Sequence, residues 1–145
     1  MSFLLDTCVL SELVKPQPNE GLIAWFSGQT AHDLHLSSLT IGELNKGISK
    51  LAQGKRKSHL ENWLNTQVIT SFEGRIHPVS TAIAFNWGVY QAEAEALGKP
   101  IPLMDSIIAA TAKKQNLLLV TRNIKDMENC GVKLLNPLVI KSIKN

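Results

Sequence analysis

Asp6, Glu43, Asp105 and Asp126 are the residues of this 145-residue chain whose types and placement could carry chemistry. Each stands at or near the expected start of a helix, and each has a structural explanation when taken singly. Asp6 reads as an N-cap that accepts the orphan amides of a first turn. Glu43 reads as the acid of a capping box, Thr40-Ile41-Gly42-Glu43, reaching back to the Thr40 amide. Asp105 suits the positive N-terminal end of a helix that starts after Pro102, and Asp126 lies in the first turn after an Asn123 cap. Taken together they mean more, because in a parallel sheet the helix starts that follow strands share one edge and can bring these acids into one cleft. Close carboxylates do not all stay ionised without a counter-charge, and a hard divalent cation with oxygen ligands supplies it. Mg²⁺ or Mn²⁺ held in this way orients a phosphodiester, activates a water and stabilises the leaving oxygen.

The elements that must position these acids alternate between strand and helix. An apolar strand, Phe3-Leu4-Leu5, ends on Asp6, and a short helix follows that stops near Pro16 and Pro18. Residues 19–29 carry Leu22, Ile23, Trp25 and Phe26 at helical spacing, and residues 34–36 form a second short strand. The capping box is expected to open a helix with Leu44, Ile48 and Leu51 on one stripe, ended by Gly54. Residues 58–72 read as helix, 76–79 as strand, and 80–97 as a long helix stopped by Gly98 and Pro100. A further helix starts around Pro102 to Asp105, its isoleucines and alanines marking deep burial. The apolar run Leu117-Leu118-Leu119-Val120 then leads into Thr121-Arg122-Asn123. Near-continuous apolar strands separated by helices imply a parallel sheet covered on both faces, an α/β fold of the doubly wound type.

Length and composition fit one globular domain over residues 1–145, with 44% hydrophobic residues to fill its core. No apolar run approaches the roughly 20 residues that span a bilayer, and no signal-peptide pattern opens the chain, so a cytoplasmic location without membrane association is expected. Cys8 and Cys130 are too few for a disulfide framework and are expected to be free thiols. A net charge of +3 and a pI near 9.0 tilt the surface only mildly toward polyanions. The densest basic cluster, Lys55-Arg56-Lys57, reads as a solvated helix start after Gly54. There is no phosphate loop, dinucleotide fingerprint or nucleophile elbow. Cys8 lies where a nucleophile could sit, but no nearby group in sequence would form its thiolate. His32, His35, His59 and His77 lack ligand spacing and read as surface or loop residues.

Four segments together carry a family resemblance: Leu4 to Glu12, Ser37 to Leu44, Asp105 to Ala112, and Leu119 to Asn123. In order and spacing they resemble the PIN-domain toxins of the VapC type, and among these the FitB-like branch. The resemblance implies a PIN-domain fold, a central parallel sheet flanked by helices in three α/β/α layers. It implies a metal-dependent endoribonuclease, a hydrolase that cuts phosphodiester bonds, with Asp6, Glu43 and Asp105 as the principal acids and Mg²⁺ or Mn²⁺ as cofactor. For the fourth place, Asn123 falls where some relatives have an acid, and Asp126 is the nearest carboxylate. Cys8 stands where the family pattern has Asn, which removes an amide that would orient Asp6. The resemblance also implies a cytoplasmic homodimer with an RNA substrate, silenced by a cognate antitoxin that alone contacts operator DNA. That antitoxin would insert an Arg among the carboxylates and fill a groove between the early helices, with Trp25, Phe26 and Leu22 as candidate contacts, though those three also read as core.

Two other functions are compatible with parts of this pattern. A catalytically weak PIN-fold binding module for a protein partner or nucleic acid is suggested by Cys8 and the ambiguous fourth acid. A metal-dependent phosphatase fits less well, because Cys8 occupies the position two residues after Asp6 where a second acid is often needed.

Overall fold

The computed structural model describes residues 1–139. A five-stranded sheet runs through the centre in the order β3-β2-β1-β4-β5, and every neighbouring pair is parallel. In chain order the strands are β1 (Phe3–Leu5), β2 (Leu34–Ser37), β3 (Ile76–His77), β4 (Leu118–Val120) and β5 (Leu134–Leu135). The helices are α1 (Thr7–Leu13), α2 (Glu20–Ser27), α3 (Ser38–Ser49), α4 (Lys55–Asn62), α5 (Thr81–Ala96), α6 (Leu103–Lys114) and α7 (Ile124–Met127). A π-helical segment, Trp63–Ile69, continues α4.

β1 and β4 are apolar throughout because both sheet faces are covered there. Phe3 and Leu5 pack on one side with Leu10, Leu22, Leu44, Ile48, Leu60 and Val68. Leu4, which points the other way, packs with Leu119, Ile108, Ala109, Ala112 and Met127. The period of two along β1 thus divides the core into two clusters, with α1 to α4 over one face and α5 and α6 over the other. This is the expected three-layer α/β/α arrangement. Completely burying a leucine such as Leu4 or Leu5 contributes about 2 kcal/mol, so three-residue strands hold their place through their faces as well as their ladders.

Two boundaries differ from the sequence reading. Thr40 does not open α3: the helix starts at Ser38, and the Ser37 hydroxyl caps it by accepting from Leu39 N (3.1 Å). Thr40 is instead a fully buried residue of the first turn, which leaves Glu43 with no capping role. Gly54 does not end α3, which stops at Ser49; it caps the start of α4, so Lys55-Arg56-Lys57 forms an exposed first turn as expected. Strand β5 was not anticipated, since Leu134-Leu135 is too short to give a periodic signal. Among the described residues no helix is long and apolar enough to cross a membrane, and Cys8 and Cys130 are free thiols.

Candidate active site

The carboxyl edge of β1 and β4 builds the site. Asp6 N donates to the Val120 carbonyl at 2.9 Å, and Thr121 N donates to Leu135 O at 2.9 Å. The ladders thereby extend one residue past the strands and set the Asp6 and Thr121 side chains close together. Asp6 is only 3% exposed. Its Oδ1 accepts from Thr7 N (2.8 Å) and its Oδ2 from Thr121 Oγ1 (2.7 Å). Asp6 is therefore both the N-cap of α1 and a carboxylate fixed at the sheet edge, so the two readings of this residue are compatible.

Glu43 lies within α3 and is half-buried. Its Oε1 accepts from Thr7 Oγ1 at 2.6 Å, and the Thr40 hydroxyl is 3.2 Å from that same Thr7 oxygen. One residue, Thr7, thus holds Asp6 through its amide and Glu43 through its hydroxyl. Asp105 enters from the other face, in the first turn of α6. That turn is anchored by its neighbour Ser106, whose Oγ donates to Leu103 O (2.7 Å) and accepts from Trp87 Nε1 on α5 (2.7 Å).

Burial pushes the Asp105 carboxyl up to about 6, and the negative charges of Asp6, Asp126 and Glu43 push in the same direction. The other three acids singled out from sequence therefore act on Asp105. Among the described residues, no three His, Cys, Asp or Glu side chains converge closely enough to hold an ion as they stand, so the acids share an edge without closing into the tight cluster the sequence reading expected. The donor set is entirely hard oxygen with excess negative charge, which fits Mg²⁺ or Mn²⁺ and not a thiolate- or imidazole-seeking ion.

Asn123 and Asp126 part company. Asn123 sits at the N-cap position of α7 without a side-chain cap bond, contrary to expectation. Its amide donates to Thr121 Oγ1 at 3.0 Å instead, tying it to the hydroxyl that holds Asp6. Asp126 is exposed on α7 and reaches Asp105 through its charge.

Cys8 is no nucleophile. Burial, and then the Asp6 charge, push its thiol up to about 11, so it is protonated at neutral pH. It donates weakly to Asp6 Oδ2 at 3.6 Å and stands 3.7 Å from Thr121 Oγ1. The sequence reading missed the positioning roles of Thr7 and Thr121. A Thr flanking a strand-end acid, and another at the end of the neighbouring strand, were the available signals.

Two of the four histidines differ from expectation. His32 and His59 are exposed as expected, but His35 lies in β2 and His77 in β3, and their rings meet. Of the candidate partner contacts, Leu22 is core and fully buried, and Trp25 packs edge-on against Phe3 at 5.1 Å. Phe26 alone of the three lines an open apolar groove of about 620 Å³ between α1, α2 and the π-helical segment, with Leu13, Ile23 and Trp63.

A three-layer parallel α/β fold whose strand ends gather acids defines a class, and residues 3–129 match the family described as PIN domain. The chain belongs to that family. It is 37% identical over 134 residues to toxin FitB of Neisseria gonorrhoeae, a match covering 92% of this chain and 96% of that protein. It is 34% identical to VapC ribonuclease Y4jK of Sinorhizobium fredii, again over 92% and 96%. The solved structure of FitAB bound to an IR36 DNA fragment superposes with a TM-score of 0.92 at 33% identity, covering 98% of this chain and 99% of that one.

Proposed function

We propose that this chain is the toxin of a type II toxin–antitoxin system, a Mg²⁺-dependent endoribonuclease built as a single PIN domain. The observation that carries the proposal is the placement of Asp6 and Glu43 on Thr7 at the carboxyl edge of the sheet, with Asp105 under the charges of Asp6, Asp126 and Glu43, in a chain whose relatives bear toxin and ribonuclease names. Asp6, Glu43 and Asp105 are the residues that would hold the ion. When bound, Mg²⁺ or Mn²⁺ supplies a nucleophilic water and neutralises charge on the phosphate.

The rest follows from the chain's own groups. Thr7 and Thr121 orient the carboxylates of Asp6 and Glu43 through three hydrogen bonds. Asp105 and Asp126 close the cleft from the α6 and α7 side. Asn123, anchored through its backbone amide on Thr121, would contact the RNA or the fourth place of the acidic site. The RNA substrate places the action in the cytoplasm.

The partner is a cognate antitoxin, and operator DNA is reached only through it; a similar solved structure is that of FitAB bound to an IR36 DNA fragment. Apolar antitoxin side chains would fill the groove of Phe26, Ile23 and Trp63, and an Arg would fork onto the acids in place of the cation. The exposed apolar residues Phe85 and Val89 on α5, with Leu103 and Met104 at the start of α6, form the face for a second copy of the chain.

The test is cleavage of a structured RNA by the purified chain in Mg²⁺, in Mn²⁺ and in EDTA, alongside Asp6→Asn. Cutting should require the divalent ion and vanish in the variant. RNA that is retained but left whole in Mg²⁺ and Mn²⁺ would favour the binding-module reading.

A further inference from the structure

His35 and His77 lie on β2 and β3, the two strands at one edge of the sheet. The ladder pairs Leu36 with Ile76 and Ser37 with His77, so residues 35 and 77 project to the same face. Leu34 and Leu36 fill the core beneath α3 and α4, so the imidazoles emerge on the opposite side. There they line an open cavity of about 750 Å³ beside the C-terminal end of α6. The rings are nearly parallel, with centroids 5.0 Å apart and planes at 24°. His35 Nδ1 and His77 Nε2 are 2.9 Å apart.

We propose that His35 and His77 form a second metal site, a two-imidazole chelate for a borderline divalent ion of the Cu²⁺ or Ni²⁺ type. Two nitrogens bound about 2.1 Å from one ion lie about 3.0 Å apart at a right angle and about 3.4 Å apart at a tetrahedral angle. The 2.9 Å hydrogen bond between the rings shows that the two nitrogens come within chelating distance of each other, and Cu²⁺ heads the affinity order of imidazole-seeking ions. On binding, the hydrogen leaves the gap between the rings and the ion sits off the line joining the nitrogens, about 2.1 Å from each. Whichever imidazole donates that hydrogen becomes a ligand by carrying its proton on its other ring nitrogen, so no net proton is lost. Among the described residues no third side chain completes the set, and water from the open cavity fills the remaining positions. Lys113 lines the same cavity, but its ammonium is drawn over the Tyr90 ring at 4.4 Å. The chemistry sorts the two sites: hard ions suit the carboxylates and imidazole-seeking ions suit this pair.

The test is calorimetric titration of the tag-free chain with CuCl₂ and NiCl₂ in excess Mg²⁺, using wild type, His35→Gln, His77→Gln and Asp6→Asn. Either His variant should weaken the tight site by about 100-fold, because a chelate becomes a single contact, and Asp6→Asn should retain it. Unchanged affinity in both His variants, or loss only in Asp6→Asn, overturns the proposal. Pulsed electron paramagnetic resonance of Cu²⁺-loaded wild type gives an answer that does not depend on the variants folding. Two equatorial imidazoles support the chelate, and one or none refutes it.

Discussion

Replacing Asp105 with Asn should stabilise the metal-free protein while removing its response to Mg²⁺. The Asp105 carboxyl is pushed from its ordinary 3.8 to about 6 by burial and by Asp6, Asp126 and Glu43. For a fully shielded group that change would correspond to about 3 kcal/mol. Asp105 is only half-buried, and screening by water brings the figure down to about 1 kcal/mol, or about 3 °C in melting temperature for a chain of this size. The sign follows from proton binding. The folded state holds this proton more tightly than the unfolded chain, so the penalty is absent below about pH 4 and grows to its full size as pH rises through about 6. In EDTA, Asp105→Asn should therefore melt about 3 °C above wild type at pH 7.5, and the gap should close toward pH 4. Added Mg²⁺ should reverse the order: an ion at about 100 times its Kd stabilises the protein that binds it by about 2.7 kcal/mol, and the variant lacks one of the charges that hold it. Differential scanning fluorimetry across pH, with and without Mg²⁺, reads both effects. A wild type that is more stable than the variant in EDTA at pH 7.5, or equal Mg²⁺ shifts in the two proteins, would refute the mutual repulsion of these acids and their shared cation.

Glu43→Gln keeps an oxygen for the Thr7 hydroxyl, so the melting temperature should stay within about 2 °C; turnover should fall by about 100-fold or more if the charge is needed, and wild-type turnover would return Glu43 to a structural role. Thr121→Val removes the hydroxyl that donates to Asp6 and accepts from Asn123 N. Thermal denaturation should show a loss of about 2 kcal/mol, with reduced cleavage, and an unchanged melting temperature and rate would discount Thr121 as a positioning residue. Phe85→Glu places a charge on the face assigned to the second copy, where Phe85 is 74% exposed. Analytical ultracentrifugation should then show monomer with the same secondary structure as wild type, and an intact dimer would move the interface elsewhere.

The class of fold was legible in the chain because β1 and β4 are apolar without alternation, the mark of strands buried on both faces. Asp6 and Asp105 were legible for a related reason, since an acid that closes an apolar strand or opens a buried helix stands out in one dimension. The structural reading of Glu43 was the one that failed: Thr40-Ile41-Gly42-Glu43 has the form of a capping box, but Ser37, one residue before the helix, captures the cap by accepting from Leu39 N. Local patterns compete for the same backbone amides, and which pattern wins depends on where the strand ladder releases the chain. What no segment could reveal were the contacts between segments far apart in sequence. Thr121 meets Asp6 only because β4 pairs beside β1, Thr7 reaches Glu43 across from α1 to α3, and His35 meets His77 only because β3 pairs beside β2. Residue type and local period are properties of the chain alone, whereas hydroxyl-to-carboxylate and imidazole-to-imidazole distances are set by strand order and register, which exist only once both faces of the sheet are covered.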